Sequence, residues 1–471
     1  MKYDRKPVAG YVVALLFAGM AISCSKDQVL EPVSTTPNVA PVQSVQEGDY
    51  HGEIISQALA KQVAETSEFQ QLFLRSSAAA SGARRSQVKR TVRRAMTLND
   101  NHNHPAAHVM SYEQGGFAIL SAEKSFAAVL AVGDEGNVDP NQMPEVVKDW
   151  LNQTRDQIGR ARISRRGARQ SATNQSLSWA TLLANTGLNG QNSGARSAAP
   201  APEPDPIKCS DCPDPEPGGN PPCQQIGEPA FFGPLVKTTW NQSEGDFLWP
   251  YNKFAPNGAL AGCGPVAAAQ LMRYYQHPST YVCHIPGASY GKTLAAIWGN
   301  NYNSSSFSTA NIMASFGYSA NATWGGTPGA ETSTNTDNMA AALKNNFGYK
   351  TVYVKTGPTL SDILSQLSSY RPVLLRGSKY SGGSGGHIWV VDGSMTIKSN
   401  CAVPEFHWMH MNWGWGGYWN GYFSDSYSSG TTGTTYYTET GTKTHTADSD
   451  PGTSQNSDMF YYGRRMIVAY P

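Results

Sequence analysis

One stretch of this sequence places a glycine-flanked cysteine before a run of helix-forming residues: Ala261-Gly262-Cys263-Gly264-Pro265-Val266-Ala267-Ala268-Ala269-Gln270-Leu271-Met272-Arg273-Tyr274-Tyr275. Proline is well tolerated in the first turn of a helix, and alanine, leucine and methionine favour its continuation. The stretch predicts a tightly packed helix that begins beside Cys263, with the positive end of its dipole facing the sulfur. Such a position favours the thiolate, so Cys263 is a candidate nucleophile. A buried free cysteine at a helix start fits this stretch equally well.

The composition limits the classes of function. The chain has 471 residues, a formal net charge of +1 and only 15% charged residues. That length allows two or three domains, and the charge balance gives no reason to expect a nucleic-acid partner. Few charges, together with many small polar and aromatic residues after residue 226, favour an exported protein that is rich in loops.

The N-terminus also indicates export. Lys2, Arg5 and Lys6 precede an apolar run over residues 8–22, which is shorter than the roughly 20 residues of a membrane-spanning helix and fits a signal peptide. The run ends in Ala21-Ile22-Ser23-Cys24, which resembles the lipobox of bacterial lipoproteins. We therefore predict a lipoprotein-type signal peptide over 1–24 and a tether over 25–50. A lipid on Cys24 would be the sole link to a membrane, and an ordinary cleaved signal is the alternative.

Composition and periodicity divide the rest of the chain into three parts. Residues 51–163 combine helical spacing near their start with two strand-like runs, over 115–122 and 126–133, and a helix predicted over 143–158. Residues 155–169 carry six arginines. Residues 164–225 show weak periodicity and become proline-rich, which is typical of a linker. Residues 226–471 form the third part.

The third part mixes helices with strands. Helices are predicted over 336–347 and 359–369, and strands over 371–377, 388–393, 405–413 and 461–470. A helical portion and an antiparallel sheet within one domain predict an α+β fold.

Two further segments supply groups that a cysteine nucleophile needs. His387 begins an apolar strand after the glycine-rich run 382–386, so its imidazole would be held on a rigid backbone at a cleft. Asn412 could hydrogen-bond the ring nitrogen that does not face the sulfur, and Trp413 could exclude water from that bond. Cysteine, histidine and asparagine in this order, far apart in the chain, match the arrangement of papain-like enzymes.

These segments resemble the streptopain-like cysteine peptidases, the C10 family, which share a papain-type catalytic plan. The resemblance rests on Trp240-Asn241-Gln242, on Gly262-Cys263 with its helix through Gln270, on 386–393, and on His410-Met411-Asn412-Trp413-Gly414-Trp415-Gly416-Gly417. The last motif is the most specific. Residues 97–160, with Gly115-Gly116-Phe117-Ala118-Ile119-Leu120-Ser121, resemble the propeptide of that family.

The resemblance implies a role for each matching residue. Cys263 would be the nucleophile and His387 the group that shuttles its proton. Asn412 would orient His387, Trp413 would shield the pair, and Gln242 would bind the oxyanion together with the backbone N–H of Cys263. Where the family has a β-branched and small polar run after the nucleophile, this chain has 264–266, Gly-Pro-Val.

The resemblance also implies an architecture. We expect a papain-like catalytic domain of two subdomains, one helical and one an antiparallel sheet, over 226–471, after a small α+β propeptide domain over 51–163. A secreted peptidase that folded in an active state would attack its own cell. We therefore expect the propeptide to cover the active-site cleft until the chain is cut in the 164–225 linker. The candidate cleavage residues are Arg165, Arg166, Arg169 and Arg196.

Five cysteines remain after Cys24 and Cys263: Cys209, Cys212, Cys223, Cys283 and Cys401. Some could pair as disulfides in an exported chain, but the pairing stays open. Cys209, Cys212 and Cys223 suggest a metal site, yet no fourth ligand follows at suitable spacing, so we expect no metal and no cofactor.

The expected function is that of an exported cysteine endopeptidase made as a zymogen. Its partners would be protein or peptide substrates and its own propeptide, and it would be lipid-anchored at the cell envelope or outer membrane surface, or secreted after processing. Two alternatives stay open: an amidase or acyl transferase that uses the same Cys-His-Asn set, and a cell-surface binding protein.

Overall fold

The structure is a computed structural model of the chain. It describes residues 54–74, 89–163 except 125, 137 and 140–142, 177–188, 227–288, 293–298 except 297, 305–378, 386–398, 405–424 and 462–471. All of these lie in one compact unit, Gly48–Pro471. The predicted signal peptide and tether, Cys24, most of the predicted linker and the candidate cleavage residues Arg165, Arg166, Arg169 and Arg196 lie outside the described residues.

The described residues contain both helices and strands. The helices are α1 (Gln57–Ala64), α2 (Ser67–Phe73), α3 (Glu145–Ile163), α4 (Trp179–Asn185), α5 (Cys263–Tyr275), α6 (Phe307–Ser319), α7 (Thr336–Asn345) and α8 (Leu360–Ser368), with a 3₁₀ turn at Pro256–Gly258. The strands are β1 (Val92–Asn99), β2 (Pro105–Tyr112), β3 (Phe117–Ser121), β4 (Val129–Gly133), β5 (Ala230–Phe232), β6 (Gly245–Asp246), β7 (Trp249–Pro250), β8 (Thr280–Val282), β9 (Thr293–Ala295), β10 (Thr351–Thr356), β11 (Val373–Ser378), β12 (Gly386–Lys398), β13 (Glu405–Asn412), β14 (Gly421–Ser424) and β15 (Tyr462–Tyr470).

An 11-stranded antiparallel sheet organises the described residues. Its order is β1-β2-β3-β4-β14-β13-β12-β11-β15-β10, and β5 pairs with β12. The predicted strand pair in the N-terminal part is β3 with β4, and the strands predicted in the third part are β11, β12, β13 and β15. The predicted α+β class is confirmed, with helices packed on an antiparallel sheet.

Alternation along β12 explains how the sheet is covered on both faces. Ile388 and Val390 point to one face and pack in a cluster with α5, α6 and α7. Trp389 and Val391 point to the other face and join a cluster that includes residues of α3 and α8. Because successive side chains of a strand alternate between faces, the continuous apolar run of β12 indicates a strand that is buried on both sides.

The N-terminal part and the third part share this sheet. Strand β4 pairs with β14, with Val132 opposite Tyr422 and Ala131 opposite Phe423. The indole N–H of Trp408 also donates to the carbonyl of Val129, at 3.2 Å. The segment that resembles a propeptide is therefore joined to the peptidase-like segment by backbone pairing as well as by side-chain packing.

Part of the range predicted as linker is folded. Helix α4 lies within 164–225 and buries Trp179 completely, while Ser178 caps its first turn through the backbone N–H of Thr181. The indole N–H of Trp179 donates to Ser121 at 3.0 Å, and the backbone N–H of Ala128 donates to the carbonyl of Leu177 at 2.8 Å. Residues 179–185, within the range predicted as linker, are therefore helical, because one apolar face on a short capped helix is enough to dock it on the sheet.

Candidate active site

Cys263 is the first residue of α5, as predicted. Gly262 precedes the helix with φ +93°, a conformation that L residues with a side chain rarely adopt. A Cβ at this position would also lie 3.0 Å from the side chain of Thr332. Pro265 follows in the first turn, and residues 264–273 are all buried. The glycine thus turns the chain sharply, and the packed helix then fixes the position of the sulfur.

The thiol of Cys263 lies next to the strand that carries His387. Burial raises the pKa of the Cys263 thiol, and hydrogen bonds from the backbone N–H groups of Ile388 and Gly264 oppose this rise. The charge of Glu331 raises the pKa further. The sulfur is therefore protonated at neutral pH in this state, although N–H groups that would stabilise a thiolate already face it.

His387 lies among tryptophan rings on the opposite face of β12 from α5. Its ring centroid is 6.2 Å from that of Trp389, 6.4 Å from Trp413 and 6.5 Å from Trp415. Burial lowers the pKa of His387 to about 4, although a hydrogen bond to the Trp413 carbonyl and the charges of Glu331 and Asp149 oppose this shift. The imidazole is therefore neutral at neutral pH.

A backbone carbonyl fixes the tautomer of this imidazole. Nε2 of His387 lies 3.0 Å from the carbonyl oxygen of Trp413. Because a carbonyl can only accept, Nε2 must carry the proton, which leaves the lone pair on Nδ1. In the described residues, neither His387 nor Cys263 hydrogen-bonds to the other, so the two groups are adjacent but not assembled as a reactive pair.

Asn412 does not contact His387 in the way that the sequence suggests. Its Nδ2 donates to the carbonyl of Thr238 at 2.8 Å, and its Oδ1 accepts from Gln270 at 3.2 Å and from the backbone N–H of Gly414 at 3.3 Å. Oδ1 of Asn412 thereby accepts two hydrogen bonds, which is its full capacity. The N–H of His387 instead donates to the backbone carbonyl of Trp413, the next residue in the chain. The expected Asn412–His387 hydrogen bond is absent among the described residues.

Trp413 serves the site through its backbone as well as through its ring. Its side chain is buried and donates from Nε1 to the carbonyl of Trp419 at 3.1 Å, while its backbone N–H donates to Asn420 at 3.0 Å. These two bonds fix the carbonyl that accepts from His387. Sequence reasoning missed this carbonyl because a backbone acceptor leaves no residue-type signal.

Gln242 lies close to Cys263 along a separate segment. Its carbonyl accepts from the backbone N–H of Ala261 at 2.8 Å, and its own N–H donates to the side chain of Asn241 at 2.6 Å. Gln242 is buried, yet its side-chain amide has no hydrogen-bond partner within the described ranges. An amide in this position has donors available for a substrate oxygen.

Helix α3 of the N-terminal part packs over the face of the sheet that carries His387. The ring of Trp150 lies 4.9 Å from that of Phe423, which in turn lies 5.1 Å from Trp413. The neighbouring Asp149 is close enough for its charge to raise the pKa of His387. A helix from the segment that resembles a propeptide thus borders the tryptophan-lined surroundings of the imidazole.

Of the seven cysteines, the structure describes two. Cys263 and Cys283 are free thiols. Cys24, Cys209, Cys212, Cys223 and Cys401 lie outside the described residues. In the part of the chain that the structure describes, no three side chains of histidine, cysteine, aspartate or glutamate come together as metal ligands could. In the same part, no helix has the length and apolarity required to cross a bilayer.

Comparison with known proteins follows the same division of the chain. Residues 240–423 match the model of the peptidase C10 family, and residues 53–158 match that of the Spi protease inhibitor. Streptopain of Streptococcus pyogenes serotype M28 is 28% identical over 194 residues, which are 35% of this chain and 45% of that protein. Another Streptococcus pyogenes streptopain is 29% identical with the same coverage. The chain thus matches less than half the length of these relatives.

Two solved structures are also similar. A fragment of Prevotella intermedia prointerpain A has a TM-score of 0.44 and 19% identity, and covers 79% of this chain and 97% of its own. Active interpain A has a TM-score of 0.33 and 22% identity, and covers 50% and 94%. The two family matches confirm the predicted resemblance: a region that matches the peptidase C10 family follows a region that matches the Spi protease inhibitor.

Proposed function

We propose that this chain is a cysteine endopeptidase made as a zymogen, which hydrolyses peptide bonds in proteins through an acyl-enzyme on Cys263. One observation carries the proposal. The Cys263 sulfur, at the N-terminus of α5, lies close enough to the backbone N–H of Ile388, the residue directly after His387, for that N–H to lower the pKa of the thiol. The candidate nucleophile and the candidate base are therefore neighbours, although they lie far apart in the sequence.

The tautomer of His387 suits the proton transfer that this reaction needs. With Nε2–H donating to the Trp413 carbonyl, Nδ1 can accept the thiol proton. The resulting thiolate attacks the carbonyl carbon of the scissile bond, and the imidazolium then returns the proton to the leaving amine. Water hydrolyses the thioester in a second step, with His387 as general base. We assign the orienting role predicted for Asn412 to the Trp413 carbonyl.

The oxyanion of this reaction needs donors close to the sulfur. The backbone N–H of Cys263 lies at the positive end of α5, and the buried side-chain amide of Gln242 is the second candidate. We propose that both donate to the oxyanion. Loss of one such donor typically lowers the rate by about 10²–10³.

The position of His387 supports latency. Its ring lies on the α3 side of the sheet, while Cys263 approaches the same strand on α5 from the other side. We propose that removal of the inhibitor region opens the tryptophan-lined surroundings of His387 and lets the imidazole turn towards the thiol. The cut would fall in the 164–225 range, where Arg165, Arg166, Arg169 and Arg196 are candidate cleavage residues.

Export is part of the same proposal. Lys2, Arg5 and Lys6 followed by the apolar run 8–22 support a signal peptide, and Ala21-Ile22-Ser23-Cys24 supports a lipid on Cys24. A peptidase with an inhibitor region fits a protein that must stay inactive until it leaves the cell. We propose that it is lipid-anchored at the cell envelope, or secreted after processing.

Casein digestion by the full chain in the presence of reductant tests the enzymatic proposal. We expect the wild type to be processed and to cleave casein internally, with cut sites mapped by mass spectrometry. Cys263→Ala should abolish cleavage and labelling by a thiol-reactive peptidyl probe. Cys283→Ala is the matched control, because Cys283 is also a free thiol but lies elsewhere in the peptidase part, beside Ser315.

The possible outcomes separate the alternatives. Casein peptides from the wild type and the Cys283→Ala variant, and none from the Cys263→Ala variant, would support the endopeptidase. Probe labelling of Cys263 with transfer to an added amine and no internal cleavage would indicate an acyl transferase. If neither cleavage nor labelling occurred after removal of the inhibitor region, the peptidase proposal would be wrong and a binding role would gain support.

A further inference from the structure

Two buried amide side chains connect three elements of the candidate site. Gln270 lies on α5, two turns after Cys263, and is fully buried; Asn412 ends β13 and is 1% exposed. The amide Nε2 of Gln270 donates to Oδ1 of Asn412 at 3.2 Å. Asn412 donates in turn to the carbonyl of Thr238 at 2.8 Å. We call these two side chains the amide pair.

The amide pair also holds the segment that leads to Gln242. Oε1 of Gln270 accepts from the hydroxyl of Thr238 at 2.9 Å and from the backbone N–H of Trp240 at 3.4 Å. The carbonyl of Trp240 accepts from the N–H of Gly416 at 3.0 Å. Residues 238–240 are therefore fixed on one side to the nucleophile helix and on the other to the chain around Trp413.

We propose that Gln270 and Asn412 are positioning residues that set the distance between Gln242 and Cys263, so that Asn412 acts on the oxyanion side of the site and not on His387. This inference rests on the proposed peptidase function. Within the described residues, neither side chain hydrogen-bonds to the sulfur or to the imidazole. Their effect on the reaction passes through the backbone of residues 238–242.

The hydrogen-bonding capacity of an amide supports this assignment. An amide oxygen can accept two hydrogen bonds, and both Oε1 of Gln270 and Oδ1 of Asn412 already accept two within the described residues. Asn412 thus has no lone pair left for the N–H of His387. A buried network that is this fully satisfied is rigid, because each group that shifts leaves a polar partner unpaired.

A double-mutant cycle with Gln242 tests the inference on the full chain, matured by a trace of wild-type enzyme. We expect Asn412→Ala to lower kcat on a peptide substrate by about 10–100-fold with little change in KM, because an oxyanion donor acts mainly in the transition state. In a Gln242→Ala background, the further loss should fall below about twofold. Asn311→Ala is the matched control, since Asn311 is a fully buried amide on α6, hydrogen-bonded to Tyr281 at 2.7 Å. It should show no coupling to Gln242.

A second measurement separates this role from one on the imidazole. The rate of Cys263 alkylation by iodoacetamide depends on the thiolate and its base but not on an oxyanion donor. Its pH profile should therefore be the same in the wild type and in the Asn412→Ala variant. The charged and titratable groups that act on the thiol or on its base, and that shape this profile, are His387, Glu331, Asp149 and Arg376.

Two results together would contradict the role that we propose for Asn412. If Asn412→Ala shifted the alkylation profile, and if its loss of kcat were undiminished in the Gln242→Ala background, Asn412 would act on His387 and the inference would be wrong. Inactivity of the wild type would instead refute the proposed function. If Asn412→Ala fails to fold, Thr238→Val removes only the hydroxyl that donates to Gln270. We expect that variant to lose about 3–10-fold in kcat, again coupled to Gln242, and a loss independent of Gln242 would overturn the inference.

Discussion

The two halves of the sheet bury polar side chains of different kinds. We call the half with β1–β4, which matches the Spi inhibitor model, the inhibitor half, and the half with β10–β15 the peptidase half. In the inhibitor half, Arg162 at the end of α3 makes buried ion pairs with Glu123, at 2.8 Å, and with Asp100, at 2.9 Å. We call these three residues the charged cluster. In the peptidase half, the amide pair carries no charge. Charges without partners are far more costly to bury than amides, so the charged cluster governs stability, whereas the amide pair mainly governs geometry.

This difference bears on how the inhibitor half would keep the peptidase half inactive. The charged cluster holds the end of α3, and the opposite end of that helix carries Asp149 and Trp150 beside the surroundings of His387. A loss of stability in the inhibitor half is therefore expected to release activity. A change in the amide pair is expected to reduce activity in an enzyme that is still folded.

The largest effect is expected when the charged cluster loses its cation. Arg162→Met removes the guanidinium that pairs with the buried carboxylates of Glu123 and Asp100, and breaking a buried pair in this way typically costs about 3–5 kcal/mol of unfolding free energy. We expect a value near the upper end, because two carboxylates are affected. Urea unfolding of the inactive Cys263→Ala chain would measure this cost, and premature casein cleavage by the otherwise wild-type chain would report the loss of latency.

Arg94→Gln is the control for that experiment. Arg94 pairs with Asp139 at 3.0 Å in the same half, but both side chains are more than a third exposed. An exposed pair of this kind contributes about 0–1 kcal/mol. If the Arg162→Met and Arg94→Gln variants lost equal amounts of unfolding free energy, burial of the ion pair could not be the reason for the loss.

The next largest effect concerns α4, which lies outside both family matches. Trp179 is fully buried in a cluster that also contains Trp408 and Phe406 of the peptidase half. Replacing a buried tryptophan by alanine typically costs about 3–5 kcal/mol, and we expect about 3 because a short helix can partly relax into the cavity. Urea unfolding measures this cost as well. Ala180→Ser, at an exposed position of the same helix, should have little effect.

The sequence could predict α5 and β12 because their signals are local. Pro265 and the alanines define a helix start, and the apolar run after His387 defines a strand buried on both faces. Cys263 and His387 could be singled out for the same reason. Helix α4 was missed because its one apolar face, formed by Trp179, Leu182 and Leu183, lies in a range otherwise typical of a linker.

The hydrogen-bond partners could not be predicted in the same way. An asparagine has the same donors and acceptors whichever neighbour it meets, so the presence of Asn412 did not reveal that Thr238 and Gln270 would occupy it. Arg162 stands in an arginine-rich run that resembles an exposed one, and its partners, Asp100 and Glu123, are distant in sequence. Such pairings arise only when the sheet has formed.

A pH effect of intermediate size is expected from His387. Its pKa falls from the usual 6.5 to about 4 on burial, so between these values the unfolded chain binds a proton that the folded chain does not. Stability contributed by this neutral imidazole is complete above pH 6.5 and is lost as the pH falls to about 4. The shift corresponds to at most about 3 kcal/mol. Between pH 6.5 and about 4, the unfolding free energy of the Cys263→Ala chain should therefore fall, by up to that amount, relative to that of the chain that also carries His387→Gln.

The smallest effect is expected at a partly exposed charge in the peptidase half, where an ion pair is more accessible to solvent than the charged cluster. Asp362 closes the capping box of α8 with Thr359 and lies 2.6 Å from Lys355, and these hydrogen bonds lower its pKa to about 2. Since the folded pKa is depressed, the stability is present above the unfolded value of 3.8 and is lost as the pH falls towards 2. Solvent screens the Lys355 pair, whose lysine is 44% exposed, so we expect Asp362→Asn to cost less than about 1 kcal/mol at pH 7 and still less in high salt. A cost near that of Arg162→Met would mean that charge, and not its burial, sets stability in this fold.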